Sequence, residues 1–386
     1  MKKTLLLATY DSFLNTGISL IKELDIVNVD IYIRISTENQ LSTRQIDLIL
    51  QNKYSYNTFW LNNFENIQFE IYDLIIISAG NSFSDYFLLY FHNLKKTLKL
   101  KTVTLTLFPG IIFGDIDSIT SRINSDIILC NNKSDLEIAQ GLKKIYNLNI
   151  ELINYGLVSL QKYKLNDTRK NIYFFDQVKI PDSKDTRMNI LKKLIHLAQT
   201  FPKKNFYIKS RVKTSEKTVH QNKYPYEELF EEYKEKFSTP INFGFSYETV
   251  EECFKQMELG ITMSSTVAFE AVHNELSVVL LTDFGIKKDY YNQFFLNSNL
   301  MVSFQEIELL LEKSTYPFPN KKFLDLYLNF EKDRKFYLKS KIKELLSIKE
   351  NYSRNIYTSN KVSCKTKQTR LRKFLLNIVR FLRKHT

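Results

Sequence analysis

Two hydrophobic periods alternate along this chain. "TLLLAT" (4–9) is a short continuous apolar run, and "SFLNTGISLIKEL" (12–24) repeats its apolar positions at helical spacing. The pair recurs as "VDIYIRI" (29–35) before a helical pattern near 42–52, and as "YDLIIISAG" (72–80) before 81–100. Strand-like runs follow at 102–108, 126–131 and 150–153, with a helical pattern at 133–146. After the polar, irregular stretch 156–171 a second series begins, with strands at 172–177, 205–210, 240–244, 259–263 and 277–282. Helical patterns at 185–199, 225–237, 247–257 and 266–274 lie between them, and others occupy 304–313 and 321–348. Apolar strands alternating with helices predict parallel sheets covered on both faces. The expected fold is therefore two Rossmann-like, doubly wound α/β domains facing a central cleft, with C-terminal helices and a basic amphipathic tail. The expected boundaries are 1–156, a linker over 157–170, 171–302, helices over 303–350 and a tail over 351–386.

Composition changes this picture in two places. The three cysteines are odd in number and far apart, which excludes a disulfide framework and fits a reducing cytoplasm. The net charge of +13 suggests a nucleic-acid partner until it is located. Ten cations and no acidic residue follow Glu350, so the body is close to neutral and the basicity is terminal. No nucleic-acid motif accompanies it, and nucleic acid is not the expected partner. In that tail Leu371, Phe374, Leu375, Ile378 and Leu382 recur at helical spacing among arginines and lysines. Such a helix suits an anionic leaflet, so the expected location is peripheral, on the inner face of the cytoplasmic membrane. The N-terminal apolar run is shorter than a signal-peptide core and is read as a buried strand.

Candidate chemistry gathers where strands end. "GITMSSTVAFEAVHN" (260–274) closes a strand with Ser264, Ser265 and Thr266 and opens a helix carrying Glu270. First-turn amides at such a junction suit a phosphate, and Glu270 suits ribose hydroxyls. The alternatives are a plain helix cap for the serines and complementation of the helix N-terminus for Glu270. Lys209, Arg211 and Lys213, followed by His220, form a basic loop in the same half of the chain, suited to a leaving phosphate. Asp11, after the first strand, is either a helix cap or a general base. "FPGIIFGD" (108–115) reads as a flexible acceptor-binding loop, with Arg122 beyond it to hold an acidic group or Asp126. The "DID" at 115–117 is a weak metal motif, and no metal is expected. Neither a dinucleotide-binding glycine pattern nor a P-loop is present.

Two serial Rossmann-like domains, the "SSTVAFEA" turn and the basic loop with histidine resemble bacterial glycosyltransferases of the GT-B architecture. A closer likeness is to a little-characterised bacterial glycosyltransferase group that has Asp-Ser after the first strand (Asp11, Ser12). That group also has a "PGI-x-x-G" loop (Pro109 to Gly114) and "H-x-x-K-Y-P-Y" (His220 to Tyr226). The resemblance covers roughly residues 1–300. It extends to transferases of CMP-activated keto-sugars such as sialyltransferases. What it implies is a CMP-linked donor, His220 with Ser264 and Ser265 gripping its phosphate, Asp11 as base, inversion at the anomeric carbon, and a bacterial capsule or lipooligosaccharide acceptor. The His-Pro pair of several sialyltransferase families is missing, because Gln221 follows His220, so a UDP- or GDP-sugar and polyol-phosphate transfer stay open.

Overall fold

The structure is a computed structural model, and it describes residues 3–36, 41–61, 63–64, 67–210, 223–330, 333–348 and 356–357. Seven parallel strands form the first sheet: β1 (Thr4–Ala8), β2 (Val29–Ile35), β3 (Asn57–Trp60), β4 (Leu74–Ser78), β5 (Val103–Thr106), β6 (Ile127–Cys130) and β7 (Glu151–Asn154). Their order across the sheet is β3-β2-β1-β4-β5-β6-β7. The crossovers carry α1 (Asp11–Glu23), α2 (Thr43–Leu50), α3 (Asn81–Leu98), α4 (Ile116–Thr120) and α5 (Lys133–Ile145). All of β1 is buried because both faces are covered: Leu6 and Ala8 pack with Leu14 and Ile18 of α1, while Leu5 and Leu7 pack with Phe83 and Phe87 of α3.

The second sheet repeats the plan with six parallel strands ordered β10-β9-β8-β11-β12-β13. These are β8 (Asn171–Phe175), β9 (Asn205–Lys209), β10 (Phe243–Ser246), β11 (Met257–Thr262), β12 (Val278–Leu281) and β13 (Met301–Val302). Its helices are α6 (Lys184–Thr200), α7 (Tyr226–Lys234), α8 (Val250–Gln256), α9 (Val267–His273) and α10 (Phe304–Lys313). In each sheet the strand order reverses beside the first strand, β1 against β4 and β8 against β11. The carboxyl edges at those reversals are where ligands of such sheets bind.

The chain then returns to the first domain. The helical stretch expected over 321–348 is two helices, α11 (Lys321–Tyr327) and α12 (Arg334–Ser347). Leu338 and Ile342 of α12 enter the first domain's core. Arg334 spans the junction: its Nε and Nη2 donate to Glu23 at 2.8 and 3.2 Å, its Nη1 donates to the Tyr155 carbonyl at 2.8 Å, and it lies over the Tyr155 and Phe330 rings. Further along the chain, Tyr357 exchanges two hydrogen bonds with the Asn124 carboxamide and packs against Tyr146. Among the described residues no helix is long and apolar enough to cross a membrane.

If α12 closes the first domain's core, Leu338→Ala removes a fully buried side chain from a site that relaxes only partly. The expected cost is about 3 kcal/mol, read as a lowered urea midpoint. A midpoint equal to that of the parent would show that α12 is peripheral.

Candidate active site

A cavity of about 620 Å³ lies between the two carboxyl edges. Its first-domain wall carries Asp11, Ser12 and Asn15 of α1, Ile49 of α2, and Pro109; its second-domain wall carries Asp176 to Ile180 after β8, Lys209 at the end of β9, and Ser265, Thr266 and Glu270 at α9. Five of the candidate catalytic and donor-binding residues therefore line one space: Asp11, Lys209, Ser265, Thr266 and Glu270. Arg211, Lys213 and His220 lie outside the described residues, as does the tail beyond Tyr357.

Asp11 is the first residue of α1 rather than its cap: Tyr10 holds the cap position, and the Asp11 carboxylate accepts from the Ser12 amide at 2.8 Å. Lys209 is half-buried, and its Nζ donates to the Ser210 carbonyl at 2.7 Å. Glu270 is different. Among the described residues its carboxyl has no hydrogen-bond or ion-pair partner, and burial alone pushes it up to about 7. An unpaired carboxyl in a cavity wall costs stability, and such groups concentrate at functional sites.

Three expectations need correction. Ser264 does not face the cavity: it is 5 % exposed, its Oγ donates to the Tyr290 carbonyl, and its amide donates to Gln177 Oε1 at 3.0 Å. It braces the loop against Gln177 and Tyr290. Nor are the first-turn amides of α9 all open. The Ser265 amide donates to Thr262 Oγ1 and the Val267 amide to Ser265 Oγ, both at 3.3 Å, so Ser265 also acts as a cap. Among the described residues the Thr266 amide remains without an acceptor. Third, Arg122 bonds to no carboxylate among the described residues. Its buried guanidinium donates to Asn81 Oδ1 and the Ser118 carbonyl at 2.8 Å each, while Asp126 pairs with Lys95.

The 108–115 loop also differs from the flexible acceptor loop expected. Asn131, 1 % exposed, donates to the carbonyls of Phe108 and Gly110 at 3.0 and 2.8 Å, and the buried Asp135 accepts from the Gly114 amide at 2.8 Å. Ile111 is buried in the second domain's core, and Phe113 stacks on Phe294 with ring centroids 4.3 Å apart, near Phe269. Phe113 reaches this position at φ +50°, followed by Gly114 at +73°; a left-handed phenylalanine is rare and is held here by its surroundings. The loop is pinned in the first domain and docked on the second. In "DID", Asp115 caps α4 through the Ser118 amide. His273 packs beside Phe330.

The sequence reading overlooked Asp176 and Gln177. The Asp176 side chain is 6 % exposed and accepts from Arg187 Nη2 at 2.8 and 2.9 Å; burial pushes its carboxyl up to about 6 against the pull of that guanidinium. Arg187 in turn lies over the Tyr226 ring. The signal was present: "FFDQ" ends an apolar run in polar residues, as "GITMSST" does.

A model of the family described as "Putative glycosyltransferase (DUF6716)" matches residues 4–335. None of the curated proteins matches the sequence. Among solved structures, MnaA of S. aureus in complex with UDP superposes with a TM-score of 0.54 at 11 % identity, covering 90 % of this chain and 97 % of that one. The UDP-GlcNAc 2-epimerase of Neisseria meningitidis bound to UDP-GlcNAc gives 0.52 at 11 % identity, covering 89 % and 100 %. At that identity the likeness is one of fold, and the fold is the two-domain GT-B arrangement.

The Glu270 carboxyl sets a pH signature. Its folded pKa of about 7 stands above the 4.5 of an ordinary glutamate, so the folded chain retains a proton that the unfolded chain has released. That contribution to stability is present below the unfolded value and is lost as pH rises through about 7. Glu270→Gln keeps the uncharged shape at every pH. It should match the parent near pH 4.5 and exceed it near pH 8 by about 2 kcal/mol, part of the 1.36 kcal/mol per unit being screened by solvent. Urea unfolding at both pH values checks this; equal stabilities near pH 8 would mean that Glu270 is solvated or paired.

Proposed function

Since this chain belongs to that glycosyltransferase family, we propose that it moves a sugar from a nucleotide-sugar, bound against the second domain, to an acceptor hydroxyl entering from the first. The observation that carries this reading is the cavity itself, which sets Asp11 on one wall and Lys209, Ser265, Thr266 and Glu270 on the other. The donor's phosphate faces Lys209, the two hydroxyls and the Thr266 amide. Charge that develops on the leaving phosphate is met there by groups already in place. Arg211, Lys213 and His220 follow Lys209 in the chain and are assigned to the same phosphate, with no metal required. Asp11 accepts the proton of the attacking hydroxyl. Glu270, one turn into α9, accepts hydrogen bonds from the ribose, and binding replaces its missing partners.

A UDP-linked donor is the first choice, because the two solved structures with the same fold hold UDP and UDP-GlcNAc. A CMP-linked keto-sugar transferred with inversion is the second reading, favoured by the presence of both Asp11 and Ser265 in the cavity wall. A thermal-shift panel of UDP, CMP and GDP separates them, since a ligand that binds only the folded chain raises Tm. UDP alone should shift Tm by several degrees; a shift with CMP alone would install the second reading, and no shift with any of the three would remove the donor site. With the identified donor, Asp11→Asn should slow transfer by about 10²-fold or more at unchanged nucleotide affinity. A parental rate in that variant would take the base role away from Asp11.

For the acceptor we propose a bacterial surface glycan, such as capsule or lipooligosaccharide, reached at the inner face of the cytoplasmic membrane. Support for this location comes from the sequence of residues 361–386, basic and periodically apolar. Deleting that segment should weaken binding to anionic liposomes by at least about tenfold, each cation adding roughly 1 kcal/mol near such a surface. Unchanged sedimentation with the liposomes would rule the tail out as the anchor.

A further inference from the structure

One close approach between the two domains is made by a residue without a side chain. A Cβ built on Gly110 would meet Thr266 Cγ2 at 3.1 Å, so the first-domain loop rests directly against the edge that faces the donor phosphate. The loop cannot retreat easily. Asn131 holds its carbonyls at Phe108 and Gly110, Asp135 holds the Gly114 amide, and Phe113 is stacked on Phe294. On the far side of the contact, Ser264 is fixed by Gln177 and Tyr290, yet Thr266 has αR geometry and no side-chain cap bond. Added bulk at Gly110 would therefore displace Thr266 rather than the loop.

We propose that Gly110 is a positioning residue for the donor site: its missing Cβ lets the first domain's pinned loop set where Thr266 stands, so the donor edge is shaped from both domains. This rests on the nucleotide-sugar reading of the cavity and deepens it. Phe113 serves the same end, since its ring lies 6.2 Å from that of Phe269, the residue before Glu270. Thr266 and Phe269, on the same helical turn, are thus both set against one first-domain loop.

The test is a double-mutant cycle read as affinity for whichever of UDP or CMP the parent protein binds, measured by calorimetry on the full chain. Gly110→Ala should weaken binding about tenfold. In the Thr266→Ser background, which keeps the hydroxyl and removes Cγ2, the same change should cost about twofold or less, a coupling expected only of groups in contact. A Tm of Gly110→Ala within a few degrees of the parent's shows that the fold is kept. Phe113→Leu, which leaves Gly110 intact and loosens the loop's seat, should also lose affinity. Parental affinity in Gly110→Ala or in Phe113→Leu overturns the proposal, as does an equal loss from Gly110→Ala in both backgrounds. A parent protein that binds neither nucleotide overturns the donor reading instead, a separate and distinguishable result.

Discussion

A parallel strand cannot be followed directly by its neighbour; the chain must cross back through a connection, here usually a helix, before pairing again. That constraint puts every post-strand loop of a sheet on one edge. In this chain it operates twice, in β1 to β7 and in β8 to β13, and the two edges face each other. Asp11 after β1, Gln177 after β8, Lys209 at the end of β9 and Thr266 after β11 are far apart in sequence. They share a cavity because each follows a strand that could pair only in parallel.

Holding the two edges at that separation is a different problem, solved by contacts remote from each other. At one, α12 leaves the second domain and inserts Leu338 into the first domain's core, with Arg334 fastened to Glu23 and to the Tyr155 carbonyl. At the other, the loop carrying Ile111 and Phe113 leaves the first domain and enters an aromatic cluster of the second. Each domain thus lends a segment to the core of its partner. An interface in which buried apolar side chains cross in both directions resists sliding more than a polar contact does.

How much of this could be read from the chain depended on whether a signal was local. β2 spans Val29–Ile35, as its apolar alternation indicates, because a strand between two others is set by its own hydrophobicity. β3 and β13 were missed: "NTFW" and "MV" are edge strands of four and two residues, one mostly exposed, defined by the partner they bond and not by any pattern of their own. The edge at Ser264 to Thr266 was legible as a cluster of hydroxyls but not in its division of labour. That Ser264 points inward and Ser265 outward follows from Gln177 and Tyr290, which lie 87 and 26 residues away. The role of the "PGIIFG" loop was hidden for the same reason, since Pro and Gly signal a turn and say nothing of what the turn is pressed against.

Hydrogen-bond partners divide the residues of this cavity wall into two kinds. Asp176 is buried, yet it is met by both bonds from Arg187, and its neighbour Gln177 spends its carboxamide on Ser264. These residues have protein partners and gain little from a ligand. Among the described residues the Glu270 carboxyl has none, nor does the Thr266 amide on the same turn, so both are left for groups that enter the cavity. Asp176 and Gln177 thus line the cavity as fixed support, whereas the Glu270 carboxyl and the Thr266 amide present to it groups that no described residue engages.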